Sequence, residues 1–212
     1  MRAEEVTGVI LAGGLSTRMG SDKALLPVAG KPLIRHLAEG MLALGIRRIV
    51  VACGTEERGR DYGNRLQGLH QGLTGEIAFA ADRYPGCGPL AGLHAALSAM
   101  PEGGYAFVMA CDMPMVSAAL FDRLRQAVTG TEALLDPTPQ AVLTPNQPFH
   151  ALYHASALGE LEPRLERSDL RVMSLLGALR TIRVAISEED EASAFINLNT
   201  PELYEQFARR SE

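Results

Sequence analysis

The 212 residues carry 20 Lys+Arg against 25 Asp+Glu, a net charge of −5, which excludes the global basic field that gathers nucleic acid. Hydrophobic residues at 47% and charged residues at 21% describe a globular chain, of a size that one domain spanning 1–212 accommodates around a sizeable core. No apolar run reaches the roughly 18 residues of a membrane span; the absence of tryptophan and an aromatic content of 5% disfavour a base-stacking surface for single strands.

The acidic start Met1-Arg2-Ala3-Glu4-Glu5 lacks the apolar region of a signal peptide. Cys53, Cys87 and Cys111 form no Cys-x-x-Cys pair. The expectation is a cytoplasmic protein with neither a zinc knot nor a disulfide framework.

Val6–Leu11 reads as a buried strand that ends in a loop with Gly13, Gly14 and Gly20 and two cations, Arg18 and Lys23. Glycine lets backbone N–H groups approach a ligand with no Cβ in the way, so the loop can cradle an anionic oxygen cluster such as a triphosphate. Pro32 stands where a helix begins; Leu33, Ile34, Leu37, Met41, Leu42 and Leu44 recur at helical spacing, and Gly45 supplies the stop. Residues 46–53 read as a second buried strand, completing a parallel βαβ unit. Residues 54–75 are polar, glycine-rich and weakly periodic, a loop with a poor helix.

A third strand is expected over 76–81, followed by a loop over 82–89 and a helix over 90–100. The continuous apolar run 105–111 reads as a central strand, covered on both faces. Ser117 caps a helix running to about Val128. Short strands follow over 133–135, 141–143 and 149–153. Helices are predicted over 155–167 and 169–179, the second capped by Ser168, then a long strand over 180–186 and an acidic loop over 188–191. Thr200 caps a last helix with Pro201 in its first turn. The sum is an α/β fold: a three-layer, Rossmann-like, mostly parallel sheet with helices on both faces.

Ligands of open parallel sheets bind outside the carboxyl ends of the strands. The glycine loop, Asp82 and Asp112 each follow a strand there. An aspartate at a strand end is often only a turn former. Beside a phosphate cradle, however, Asp112 is placed to hold Mg²⁺, which takes one or two carboxylates together with phosphate oxygens. The loop is neither G-x-x-x-x-G-K-[ST] nor G-x-G-x-x-G, so a P-loop NTPase and a dinucleotide dehydrogenase are disfavoured. His36, His94, His150 and His154 read as structural or surface residues, and Cys111 as a small buried apolar one.

Leu11-Ala12-Gly13-Gly14-x-Ser-x-Arg18-Met19-Gly20-x-Asp22-Lys23 resembles the loop of nucleotidyltransferases with the glycosyltransferase-A-like fold. Gly88-Pro89-Leu90-Ala91-Gly92, Cys111-Asp112-Met113-Pro114 and Asn197-Leu198-Asn199-Thr200-Pro201 resemble the molybdenum cofactor guanylyltransferase family in particular; Phe149-His150-Ala151-Leu152 and Arg171-Val172-Met173 match more weakly.

The resemblance implies an Mg²⁺-dependent transfer of GMP from GTP to molybdopterin. Leu11, Ala12, Gly13 and Gly14 would hold the nucleotide and Lys23 the triphosphate, with Arg18 close by. Asp82 would assist nucleotide recognition and Asp112 would ligate the metal. Gly88, Gly92 and Arg171 would face the pterin substrate, and Asn199 would lie near the metal or the pterin phosphate. It also implies transient contact with a molybdate-inserting protein or an apo-molybdoenzyme, and no nucleic-acid or membrane partner. One departure stands out: the family often has an asparagine at the end of strand two, where this chain has Ala52-Cys53-Gly54. The residues leave open a related cytidylyl- or sugar-1-phosphate nucleotidylyltransferase, and a non-catalytic nucleotide-binding protein on the same fold.

Overall fold

The computed structural model describes residues 1–14, 22–69, 75–132 and 138–210. Its centre is β1 (Val6–Leu11), a strand covered on both faces: Val6 and Ile10 enter one apolar core and Val9 the other. Such a strand needs apolar residues at successive positions rather than alternate ones.

After β1 come the short antiparallel pair β2 (Pro27–Val28) and β3 (Lys31–Pro32), then α1 (Leu33–Ala43), β4 (Arg48–Gly54), α2 (Glu56–Arg65) and β5 (Glu76–Ala81). They are followed by α3 (Pro89–Ser98), β6 (Tyr105–Ala110), α4 (Ala118–Glu132), β7 (Ala141–Leu143) and β8 (His150–His154). The chain finishes with α5 (Leu158–Glu166), α6 (Val172–Ala178), β9 (Thr181–Arg183), α7 (Glu188–Ala194) and α8 (Pro201–Arg210).

Among the described residues a seven-stranded sheet has the order β5-β4-β1-β6-β8-β7-β9. β5, β4, β1 and β6 are parallel. β8 runs against its neighbours β6 and β7, and β9 is parallel to β7.

Two helical layers complete the fold. α1 buries Leu33, Ile34, Leu37, Ala38, Met41 and Leu42, a stripe at three- and four-residue spacing. That stripe meets Tyr62 of α2, Phe121 and Leu124 of α4 and Phe207 of α8 in one core. Leu90 and Leu93 of α3, Leu161 and Leu165 of α5 and Leu175 of α6 form the other. Each such fully buried side chain contributes about 1.5–3 kcal/mol from the area removed from water. No described helix is long and apolar enough to cross a membrane.

Local signals decided most boundaries. Gly45, at φ +89°, takes the left-handed conformation that ends α1. Ser117 Oγ accepts from Leu120 N and Thr200 Oγ1 from Leu203 N, the two caps expected for α4 and α8.

Four expectations need correction. Residues 56–65 form a regular helix, started by Thr55, whose side chain accepts from Arg58 N; its buried residues are Gly59 and Tyr62, so it shows no apolar stripe. Ser168 is not a cap: at φ +56° it sits in a turn, and α6 begins at Val172 with Arg171 at the N-cap position. The long strand over 180–186 shrinks to Thr181–Arg183, after which one bond from Val184 N to Leu143 O ends the pairing. The acidic stretch 188–191 opens α7, where Ser187 caps Asp190 N and acidic residues favour the positive helix end. The strand expected over 133–135 lies outside the described residues.

Candidate functional site

The chain runs outward from β1 to β4 and β5, then returns through α3 to β6 on the other side of β1. The crevice between the carboxyl ends of β1 and β6 is therefore the point where strand order reverses, the usual ligand position in such sheets. Two backbone bonds hold its floor: Ala12 N donates to Ala52 O at 2.9 Å and Cys111 N to Leu11 O at 3.1 Å.

Three chain segments meet over that floor. Asp112 follows β6, and its carbonyl accepts from Leu198 N at 2.8 Å, which draws the segment before α8 onto the strand end. Lys23 starts a 3-10 turn, Lys23–Leu25. Its Nζ donates to Asn199 Oδ1 at 2.9 Å and lies 3.7 Å from Asp112 Oδ2. The Lys23 and Asp112 side chains are 18% and 25% exposed, so the pair is partly sheltered and its electrostatics exceed those of a surface pair.

The donor set fits Mg²⁺. Among the described residues no group of three or more His, Cys, Asp or Glu is placed to hold a metal ion. A single strand-end carboxylate with room for phosphate and water oxygens is what Mg²⁺ accepts.

A second group stands at the ends of β1, β4 and β5. Gly13 lies directly on Gly54: a methyl built on either residue would come within 3.2–3.3 Å of the other's Cα. Gly54 also has φ +78°. Asp82 N donates to Gly54 O at 3.0 Å, so the last carbonyl of β4 is already engaged. Asp82 Oδ1 is buried with no partner among the described residues, and burial pushes this carboxyl above the usual range against the opposing charge of Arg58. Replacing Gly54 by alanine is expected to cost about 2 kcal/mol, from the left-handed backbone and the contact with Gly13. The same change should abolish the rise in melting temperature on adding nucleotide, a pairing of effects that thermal melts will check.

The remaining predicted residues are dispersed. Gly88 is exposed and precedes α3 at φ +65° and ψ −151°, a conformation reserved to glycine. Gly92 is buried in α3, where a methyl would meet Ala52 Cβ and Leu11 Cδ2 at 3.5 Å, a close helix–sheet contact. Arg171 is 81% exposed and its Nε donates to Asp169 Oδ1 at 2.8 Å. Gly14 is exposed at the loop entrance, and Arg18 lies outside the described residues. The Cys111 thiol is buried, and burial holds it well above the ordinary value, in keeping with its reading as an apolar residue. His154 bonds to Ser156 Oγ and Gly103 O, and His36 to Pro114 O, both structural contacts.

Arg58 and Tyr62 were missed. From α2 they reach under the glycine loop. Arg58 donates to Gly13 O at 2.9 Å, Ala12 O at 2.8 Å and Asp22 Oδ2 at 2.9 Å. The Tyr62 hydroxyl lies 2.7 Å from Asp22 Oδ2. The available signal was the four-residue spacing of Arg58 and Tyr62 behind a Thr55 cap, which places both on one helix face.

Comparison with known proteins shows the family and the fold. The MobA-like NTP transferase domain matches residues 8–184. A probable molybdenum cofactor guanylyltransferase of Natronomonas pharaonis is 37% identical over 97% of this chain and 98% of its own length. The molybdenum cofactor guanylyltransferase of Vibrio cholerae is 33% identical over 98% and 93%. In fold, molybdopterin-guanine dinucleotide biosynthesis protein A of Archaeoglobus fulgidus superposes with a TM-score of 0.75 at 24% identity, covering 97% of this chain and 98% of that one. A 4-diphosphocytidyl-2C-methyl-D-erythritol synthase of Anaerococcus prevotii shares the fold at a TM-score of 0.66 and 13% identity, over 99% and 100%. Full-length identity above 30% to named guanylyltransferases, on a matching domain and fold, is decisive: the chain belongs to the molybdenum cofactor guanylyltransferase family of MobA-like nucleotidyltransferases.

Proposed function

We propose that the protein transfers GMP from GTP to the terminal phosphate of molybdopterin, giving the guanine dinucleotide form of the cofactor and pyrophosphate. The observation that carries the proposal is the meeting of Lys23, Asp112 and Asn199, from three distant parts of the chain, at the reversal point of the sheet.

In the reaction an oxygen of the pterin phosphate attacks the α-phosphorus of GTP. A new P–O bond forms, the bond from the α-phosphorus to the bridging oxygen breaks, and pyrophosphate leaves with the electron pair. The protein supplies alignment and charge rather than a covalent intermediate. The backbone of Leu11–Gly14 seats the nucleoside, and Lys23 neutralises charge on the triphosphate. Asp112 would hold Mg²⁺, which would supply charge to offset that on the phosphoryl oxygens. Asn199 keeps Lys23 at the strand end until the triphosphate arrives. Gly88, Gly92, Arg171 and Asn199 are the residues proposed for the pterin side.

Guanine presents two adjacent donors, its ring N–H and its amino group. Asp82, whose Oδ2 lies 3.6 Å from a methyl built on Gly13 and whose Oδ1 has no partner among the described residues, is an acceptor suited to them. This offers a route to guanine selection without the family's asparagine. The setting proposed is the cytoplasm, with hand-over of the product to a molybdate-inserting protein or apo-enzyme.

The test is direct. In Mg²⁺, GTP should raise the melting temperature while CTP and UTP at equal concentration do not, since a ligand of the native state stabilises it by mass action. Incubation with GTP and molybdopterin should release pyrophosphate. A larger shift with CTP or UTP, or no pyrophosphate, would reject the proposal.

A further inference from the structure

The glycine loop enters at Gly13 and leaves at Asp22, and both stems are tied to one place on α2. Arg58 takes the carbonyls of Ala12 and Gly13 on the entering stem and Asp22 Oδ2 on the leaving one. Tyr62, a fully buried side chain, sits beneath. Its hydroxyl lies 2.7 Å from Asp22 Oδ2 and 3.1 Å from Ala12 O. A phenol has one proton. The nearer and charged acceptor is Asp22, and the Ala12 carbonyl is already served by Arg58 at 2.8 Å. Burial, then the Asp22 bond, push the Tyr62 phenol far above its ordinary value, so it remains a donor at every working pH.

Asp22 faces two ways. Oδ2 receives Arg58 and Tyr62, while Oδ1 accepts from Ala24 N at 3.0 Å and caps the 3-10 turn whose first residue is Lys23. The carboxylate is therefore committed to the protein on both oxygens, although it stands next to the proposed phosphate anchor. A charge-assisted bond from a rigid helix to the capping residue of a turn fixes the direction in which that turn presents its side chain.

We propose that Asp22, held by Arg58 and Tyr62, is a positioning residue for Lys23: the three form a clamp that aims the lysine at the triphosphate, and they do not themselves touch substrate. The proposal rests on the assignment of Lys23 as the triphosphate anchor.

The test is a double-mutant cycle on kcat/KM for GTP, with Asp22→Asn and Lys23→Ala made singly and together, each first shown by thermal melting to fold. A loss of positioning acts through Lys23, so it disappears once Lys23 is gone; an independent structural loss multiplies with it. Lys23→Ala alone is expected to lower kcat/KM about a thousandfold and Asp22→Asn about thirtyfold. The double variant should match Lys23→Ala to within about threefold.

Losses that multiply, or an Asp22→Asn enzyme as active as the unaltered one, overturn the clamp and leave the lysine assignment standing. An active Lys23→Ala enzyme overturns the lysine assignment itself, and shows this from the single variant. If Asp22→Asn does not fold, Tyr62→Phe takes its place; it keeps the ring and removes the proton donor, and the same non-multiplying pattern is expected from about a fivefold single loss.

Discussion

Replacing Lys23 or Asp112 by alanine should lower turnover of GTP by about 10²–10³-fold, the size of effect seen when one preorganised charge-stabilising group is removed from a transferase or hydrolase site. The two side chains lie 3.7 Å apart and only a fifth to a quarter exposed. Neither replacement should unfold the chain. A partly exposed pair contributes at most about 1 kcal/mol to stability, and the strand end is held independently by the Leu198 N to Asp112 O and Cys111 N to Leu11 O bonds, which involve no side chain.

The two variants should also differ in kind. As the proposed triphosphate anchor, Lys23 would act in the ground state as well as during transfer, so its loss should raise KM and lower kcat together. Under the proposed role of Asp112 as Mg²⁺ ligand, its loss should in addition flatten the dependence of rate on Mg²⁺ concentration. Steady-state kinetics over a GTP and Mg²⁺ grid reads both. Full activity in either folded variant would remove the role assigned to it.

Between pH 6.5 and 4 the fold should lose about 3 kcal/mol of stability to a single residue, His150. The side chain is 0% exposed, with both ring nitrogens lacking a partner among the described residues. Phe107 and Phe195 pack against it, their ring centroids 5.5 and 5.3 Å away. Burial in that setting lowers its pKa from the ordinary 6.5 to about 4.

A base with a depressed folded pKa binds its proton more readily when unfolded. Its contribution is therefore complete above pH 6.5 and falls away as the pH drops towards 4. Denaturant melts of the protein and of His150→Phe at a series of pH values will isolate the effect. The difference between the two should shrink or reverse in favour of phenylalanine as the medium is acidified. A pH-independent difference would show that the imidazole is already partnered in solution.

How much of this was legible beforehand varies with the range of the interaction. The glycine loop, the strand before it and the aspartates after β5 and β6 are local features. Apolar runs specify buried strands, and the residue that follows such a run is necessarily at the sheet's end. The caps by Ser117 and Thr200 were equally readable, since a hydroxyl bonds to an N–H three residues on. The helix α2 was not. Its stability comes from Tyr62 and Arg58 reaching under another loop rather than from an apolar stripe, and periodicity detects only the stripe. The 180–186 stretch has strand composition throughout, yet pairing needs a neighbour, and β7 offers only Ala141–Leu143.

Sequence by itself therefore determined the class of fold and placed Lys23, Asp82 and Asp112 as charged groups at the carboxyl end of the sheet. These follow from residue type and near neighbours along the chain. Tertiary structure alone decided that Lys23 reaches Asn199 across 176 positions, that Gly92 is a packing contact, and that Asp22 is turned inward onto Arg58 and Tyr62. Those outcomes depend on which strand ends the fold brings within a few ångströms of one another. Hydrogen bonds and ion pairs act over that distance in space, whatever the separation in sequence.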